Sequence, residues 1–126
     1  MRRVQHSDGA DGADWLSREQ WARALGAGPD NHATTRHLCR LIRDQEPEVR
    51  KVAVESLGKL APTRRRVTTL LSALDDDVWE VRWAAVHSLA GTARRSAAVR
   101  RALERAARDP DPAVAAAARD ALATGS

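Results

Sequence analysis

The chain has 126 residues, a length typical of one domain and too short for two well-packed ones. Hydrophobic residues make up 43% and charged residues 30%, as in ordinary globular proteins, and all four aromatic residues are tryptophans. The alanine-rich composition favours helices over strands, because alanine is the best helix former and a poor strand former. The composition therefore predicts an all-α protein.

Neither a membrane span nor a secretion signal is expected. No segment approaches the ~20 apolar residues that a membrane helix needs, and no apolar run follows Arg2 and Arg3. The single cysteine, Cys39, cannot form an internal disulfide, which is typical of a reducing compartment. These features predict a cytoplasmic protein.

The charge is basic, with 21 Lys and Arg residues against 17 Asp and Glu residues and a net charge of +4. An excess of arginine fits an acidic partner or a nucleic acid. It also fits a GC-rich genome, whose codons favour alanine and arginine together. The interspersed acidic residues favour this second explanation.

The first predicted helix starts near a capping motif. Ser17 and Gln20 match a capping box, with Leu16 and Trp21 at the positions of a hydrophobic staple. We therefore predict a helix over 17–26 that caps the open end of the helices that follow. Its large apolar side chains are expected in the core: Trp15, Trp21 and Leu25.

The rest of the chain repeats itself with a period of 32 to 33 residues. Three valines keep this spacing, and so do two sets of leucines. The positions are Val49, Val81 and Val114; Leu57, Leu89 and Leu122; and Leu38, Leu70 and Leu103. Because the apolar residues within each unit have helical spacing, this period predicts stacked helix pairs.

Each unit reads as a first helix, an acidic turn and a second helix. Pro47 and Pro112 fit the first position of a second helix, where no backbone donor is needed. The predicted first helices are 31–43, 63–74 and 95–108, and the second helices are 46–60, 78–91 and 111–123. We therefore predict a flexible tail at 1–13 and one repeat domain at 14–126, with repeats at 31–60, 63–91 and 95–124.

The turn and second helix of each unit share a pattern of Asp, then Val-Arg, then Ala and Leu. It reads Asp44, Val49-Arg50, Ala53, Leu57 in the first unit and Asp76, Val81-Arg82, Ala85, Leu89 in the second. The third unit has Ala115 in place of the arginine. In this pattern the chain resembles the HEAT-like repeats of phycobilisome-lyase-related proteins. The resemblance implies a right-handed α-solenoid of about three helix pairs behind an N-terminal cap helix.

The arginines of this pattern have a structural explanation. Arg50 and Arg82 stand at the same place in consecutive units, where each can bond the turn aspartate of the neighbouring repeat, Asp76 or Asp109. An arginine held by carboxylate and carbonyl oxygens would lock the stacking angle. We therefore predict an Arg–Asp ladder along the repeats.

No catalytic or metal-binding arrangement is evident. Cys39 adjoins an apolar stripe and reads as a small buried residue. The four histidines have no ligand spacing, and the acidic run around Asp76 fits helix capping better than a metal site. We therefore predict a non-enzymatic protein without a metal or cofactor.

The second helix of the middle unit departs from its equivalents. Opposite its core face it carries a second apolar stripe that includes Trp79, Trp83 and Val86, with His87 at its flank. In HEAT-like stacks the second helices line the concave surface, so these rings are expected in a groove. The alternative is that Trp79 and Val86 pack on an adjacent second helix and that Trp83 is shielded. The predicted partner-binding residues are Trp79, Trp83, His87, Lys51 and Glu55.

Basic residues concentrate in the turns between repeats, which would lie along one edge of the stack. A polyanion could bind them beside free backbone amides at a helix start, and a solvated surface edge is the simpler explanation. The edge residues are Arg64, Arg65, Arg66, Arg94 and Arg95.

The leading functional prediction is a scaffold that binds a protein or peptide segment on its concave face. The alternatives are nucleic-acid binding through the arginine edge, with the tryptophans stacking on bases, and a role as accessory subunit of a lyase or biosynthetic enzyme, which only the family resemblance implies. No membrane or small-molecule partner is expected.

Overall fold

A computed structural model describes residues 14–93 and 95–125; the predicted tail at 1–13 and Arg94 lie outside the described residues. The described part is all-α, with seven α-helices joined by short turns and one 3₁₀ turn at Ala90–Thr92. The helices are α1 Trp15–Ala27, α2 His32–Leu41, α3 Pro47–Lys59, α4 Arg64–Ala73, α5 Trp79–Leu89, α6 Ala97–Ala106 and α7 Pro112–Gly125.

First and second helices begin in different ways. The first helices α2, α4 and α6 each follow a residue whose side chain accepts a hydrogen bond from a backbone N–H in the first turn, which satisfies one of the helix's unpaired donors. These capping residues are Asn31, Thr63 and Ser96. The second helices α3 and α7 begin instead with Pro47 and Pro112, as the sequence predicted.

The helices form two layers, and the helices of one layer pack more closely on one another than those of the other. The helices α1, α3, α5 and α7 pack extensively on one another in chain order, whereas α2, α4 and α6 touch their own second helices more than each other. Closer packing in one layer bends a stack toward that layer, so the second helices line the inner side of a short solenoid. Among the described residues, no helix combines the length and apolar character needed to cross a bilayer.

The core lies between the two layers and is built from the repeated apolar positions. The three valines at the anchor position are fully buried, and so are Leu57 and Leu89 in the second helices. The buried valines are Val49, Val81 and Val114. Small alanines such as Ala53 and Ala85 fill the remaining space, which allows the helices to approach closely.

Two glycine–serine pairs mark where the second helices come closest. A Cβ on Gly58 would lie 2.6 Å from the Cβ of Ser88, and one on Gly26 would lie 2.6 Å from the Cβ of Ser56. Each serine hydroxyl donates a hydrogen bond to the neighbouring second helix: Ser56 Oγ to the carbonyl of Ala22 at 2.7 Å, and Ser88 Oγ to that of Val54 at 3.1 Å. Glycine is therefore required at these positions by the closeness of the backbones.

The predicted start of the first helix is wrong. Helix α1 begins at Trp15 after Asp14, which makes no side-chain cap, so Ser17 lies inside the helix and forms no capping box. The predicted staple is absent as well, because Leu16 is 50% exposed and Trp21 is 45% exposed. Trp15 is partly buried against the core, as is Leu25, so only Trp21 departs from its predicted burial.

Helix α1 occupies the place of a second helix. Arg18 precedes Arg50 by the repeat period, and Leu25 precedes Leu57 by the same interval. In this register Trp21 matches Ala53, which is buried in α3. The part of the chain that the structure describes holds no first helix before α1, and the indole of Trp21 rests against His37, with ring centroids 4.9 Å apart.

Candidate functional site

An arginine–aspartate ladder joins consecutive units and fixes the second-helix layer. The Nε of Arg50 donates to Asp76 at 2.9 Å, and the Nε of Arg82 donates to Asp109 at the same distance. A second nitrogen of each guanidinium reaches the other carboxylate oxygen at 3.1 Å, so both pairs are bidentate. Bidentate pairs hold geometry more tightly than single contacts.

The ladder has one more step than the sequence pattern indicated. Arg18 in α1 bonds Asp44 in the same bidentate way, with Nε 2.7 Å from the carboxylate. The available signal was its spacing from Arg50, which equals the repeat period. The third unit has Ala115 at this position, so the ladder within the described residues ends at Asp109.

Arg50 and Arg82 also stabilise the turns of their own units. The guanidinium of Arg50 donates to the backbone carbonyl of Asp44 at 2.9 Å, and that of Arg82 donates to the carbonyl of Asp76 at 2.8 Å. The carboxylates in turn accept the backbone N–H two residues ahead, as Asp76 does from Val78 at 2.9 Å. One arginine therefore ties together the turns of two consecutive units.

The pKa values of the ladder carboxylates follow from this geometry. Burial is the largest influence on Asp109 and raises its pKa, but the hydrogen bonds from Arg82 and from the N–H of Asp111, with the charge of Arg82, outweigh it. The pKa of Asp109 is therefore below its usual value. The same balance lowers the pKa of Asp44, which accepts from Arg18.

The inner layer contains one depression with an aromatic wall. Trp83 and His87 line a shallow cavity of about 280 Å³ between α3 and α5, together with Glu55, Lys59 and Gly58. The two rings meet edge to face, with centroids 4.2 Å apart. Trp83 is partly buried against the core and partly exposed, while His87 is exposed.

The other residues of the predicted partner-binding set lie around this depression. Trp79 is 40% exposed at the start of α5, and Lys51 is partly buried on α3; neither is among the residues that line the cavity. Val86 is fully buried, as the alternative interpretation of the stripe expected, whereas Trp79 is not. Because α5 packs against both α3 and α7, its buried surface is wider than one helical face.

The predicted arginine edge contains both exposed and buried residues. Arg64, Arg65 and Arg95 are exposed, and Arg94 lies outside the described residues. Arg66 is only 4% exposed, and its guanidinium donates to Asp30, to the Thr35 hydroxyl and to a backbone carbonyl. The hydrogen bond from Arg66 holds the pKa of the Asp30 carboxyl below its usual value. Arg66 is therefore a structural residue and is not available to a ligand on this edge.

A second basic surface was not singled out from the sequence. A groove of about 470 Å³ separates α2 from α4, and four arginines line it: Arg36, Arg40, Arg43 and Arg65. The signal in the sequence was the i, i+4, i+7 spacing of the first three, which puts them on one face of a helix. Within the described residues, no group of His, Cys, Asp and Glu side chains is arranged to hold a metal ion.

Comparison with known proteins identifies the repeat. A search of curated protein sequences gives no significant match. A family model described as HEAT repeats matches residues 8–90, about two thirds of the chain, which includes all of α1 to α5. The match is to HEAT repeats in general and does not identify the phycobilisome-lyase-related subgroup. The chain belongs to the HEAT repeat family, whose repeats are generally protein-interaction modules.

Proposed function

We propose that this HEAT domain is a non-enzymatic module that binds a segment of a partner protein on its second-helix layer, with Trp83 as the central anchor. The observation that carries the proposal is the depression between α3 and α5. It combines a partly exposed indole with an exposed imidazole beside it.

The chemistry of this depression supports protein binding. Binding energy at interfaces concentrates in a few aromatic or arginine anchors that become desolvated, surrounded by polar groups that exclude water. Here His87 contacts the indole of Trp83 edge to face, and Gly58 lines the depression beside them. Glu55 and Lys59 supply one charge of each sign at the rim, which suits the mixed polarity of a peptide.

The anchor is specific to the middle of the stack. The positions equivalent to Trp83 are Lys51 in α3 and Ala116 in α7, so no other unit carries a ring there. Trp79 stands one turn before Trp83 on α5 and is exposed, which extends the apolar surface along the helix. A partner segment that lies across α3 and α5 would contact both tryptophans.

The test is a selection of peptides from a displayed random library on the full chain, followed by affinity measurements on variants. Trp83→Ala is expected to weaken the binding of the selected peptides by about 2 kcal/mol, roughly a 30-fold loss of affinity, as the removal of a hot-spot aromatic residue does. The matched control is Trp21→Ala, which removes another exposed indole in contact with a histidine, on α1. Trp21→Ala should change the peptide affinity by no more than about twofold, far less than the loss of a hot-spot residue.

Thermal unfolding of both variants separates binding from folding. Selected peptides that bind Trp83→Ala as tightly as the wild type, or that lose equal affinity to both variants, would contradict the proposed anchor. A library that yields no binder to the wild-type chain would contradict peptide binding itself.

A further inference from the structure

The groove between α2 and α4 lies in the first-helix layer, away from Trp83. Its lining contains four arginines and no acidic residue: Arg36, Cys39, Arg40, Ile42, Arg43, Arg65, Thr68, Thr69 and Ser72. All four arginine side chains are exposed. None forms an ion pair with an acidic residue in residues 14–93 and 95–125. The arginines Arg18, Arg50, Arg66 and Arg82, in contrast, are paired with aspartates.

Two features of these charges are unfavourable for the isolated fold. Arg36 and Arg40 are like charges four residues apart on α2, a spacing that destabilises a helix, although the helix dipole favours Arg40 and Arg43 at the C-terminal end. Arg65 stands in the first turn of α4, where the helix dipole disfavours a cation. An anion in the groove would relieve both conflicts at once.

We propose that the groove between α2 and α4 binds the phosphate backbone of a nucleic-acid duplex. Guanidinium groups bond phosphate oxygens in pairs, and Thr68 adds an exposed hydroxyl, another common phosphate donor. This site is independent of the peptide-binding surface proposed for the second-helix layer.

The lining favours a duplex over two other anionic partners. An acidic protein would need an exposed apolar anchor, but Ile42 is 7% exposed and the groove has no aromatic residue. A single strand would need rings on which its bases stack, and the groove lacks these as well. The phosphates of a duplex require only the charge and hydroxyl groups that are present.

The neighbouring groove provides an internal control. Arg101, Arg105 and Arg108 occupy in α6 and its C-terminal turn the register positions of Arg36, Arg40 and Arg43, and they line a cavity of about 490 Å³ between α4 and α6. The carboxylates of Asp75 and Asp109 also line that cavity. The two grooves therefore carry the same arginine triad but different net charges.

The experiment measures the affinity of the full chain for a short labelled duplex DNA of mixed sequence. Four phosphate contacts predict a salt slope of about −3.6 and roughly a 100-fold loss of affinity between 50 and 200 mM salt. Replacing Arg36, Arg40 and Arg43 together by glutamine should weaken binding at least tenfold at 50 mM and reduce the slope to about −1. The matched triple replacement of Arg101, Arg105 and Arg108 removes the same charge and should weaken binding less than about threefold.

Four results would overturn the proposal. Equal losses in the two triple variants, with both folded by circular dichroism, would mean that only total charge matters. Competition by polyglutamate as effective as that by unlabelled duplex would assign the groove to an acidic polypeptide. Absence of duplex binding at 50 mM salt, or equal binding of a single strand, would remove the duplex as its ligand.

Discussion

The α3–α5 interface and the α5–α7 interface join equivalent second helices by different means. Between α3 and α5, the hydroxyl of Ser88 bonds the carbonyl of Val54 above Gly58. Between α5 and α7, the equivalent positions are Ala121 and Ala90, which offer neither a hydroxyl nor a missing Cβ. The Arg–Asp ladder spans both interfaces, through Asp76 and Asp109.

The two interactions therefore have different roles: the ladder fixes the angle between consecutive units, and the glycine–serine contact fixes the distance between second helices. The ladder ties turn to turn at both interfaces, whereas the glycine–serine contact brings helix backbones together only in the first part of the chain. The buried hydrophobic residues described in helix α7 are one valine and three alanines, whose small side chains gain less stabilisation from burial than leucines do. In a repeat protein the stability is a sum of local terms, and we expect the α5–α7 end to open first.

The largest expected effect compares a leucine in the middle of the stack with its equivalent in α7. Leu89 is fully buried in α5, which has second-helix neighbours on both sides, so Leu89→Ala should cost about 2–5 kcal/mol of unfolding free energy. Leu122 is only partly buried, and Leu122→Ala should cost clearly less. Urea unfolding of both variants measures the difference. Equal losses would show that the two interfaces contribute equally to stability.

The second prediction removes the ladder at the weaker interface. Arg82→Ala leaves the carboxylate of Asp109 largely buried without its partner, which should cost about 3 kcal/mol near neutral pH. Because the pKa of Asp109 is lowered in the folded state, this stabilisation is present above the unfolded pKa of about 3.9 and is lost as the pH falls through the lower folded pKa. The difference between wild type and variant should therefore shrink in acid, as urea unfolding at neutral and acidic pH can measure. A difference that grows in acid would contradict this ion-pair account.

The third prediction concerns the closeness of α3 and α5. Gly58→Ala places a Cβ against the Cβ of Ser88, and overpacking of this kind should cost about 1–3 kcal/mol, more than the gain in helix propensity. Gly91 is the control, because a Cβ there meets no atom within 4 Å. Gly91→Ala should be neutral or slightly stabilising in thermal unfolding. A Gly58→Ala variant as stable as Gly91→Ala would mean that the two helices can separate at little cost.

Much of this architecture could be predicted from the sequence, because a repeat carries its own internal comparison. The period located the helix pairs, and the pairing of Arg50 with Asp76 followed from equivalent places in consecutive units. The helix at 17–26 was predicted, but its start was placed wrongly because a local capping pattern at Ser17 competed with a distant spacing at Arg18. The repeat register holds more information here than the local motif.

The remaining differences have long-range causes. Val86 is buried because α5 has neighbours on two sides, which one helical wheel does not represent. Arg66 is held in the interior by its hydrogen bonds to Asp30 and Thr35. These partners precede it by 36 and 31 residues, so the local sequence does not indicate them. The arginine groove needs side chains from both α2 and α4, so its members were not recognisable as one site before the helices were placed.

The smallest expected effect tests whether the hydroxyl of Ser88 distinguishes the two interfaces. Its acceptor, the carbonyl of Val54, lies inside α3 and is also available to the helix's own backbone hydrogen bond, so Ser88→Ala leaves no carbonyl wholly unpaired. The expected cost is therefore that of one ordinary hydrogen bond, about 1 kcal/mol. The reverse change, Ala121→Ser, should not gain this energy, because Ala90 stands where the other interface has Gly58, whose missing Cβ lets the serine approach. Only the double change Ala90→Gly with Ala121→Ser should gain this hydrogen-bond energy. Its effect on the unfolding free energy should therefore be more stabilising than the sum of the two single effects. Additive behaviour in this double-mutant cycle, measured by urea unfolding, would show that the glycine–serine contact does not act as a pair.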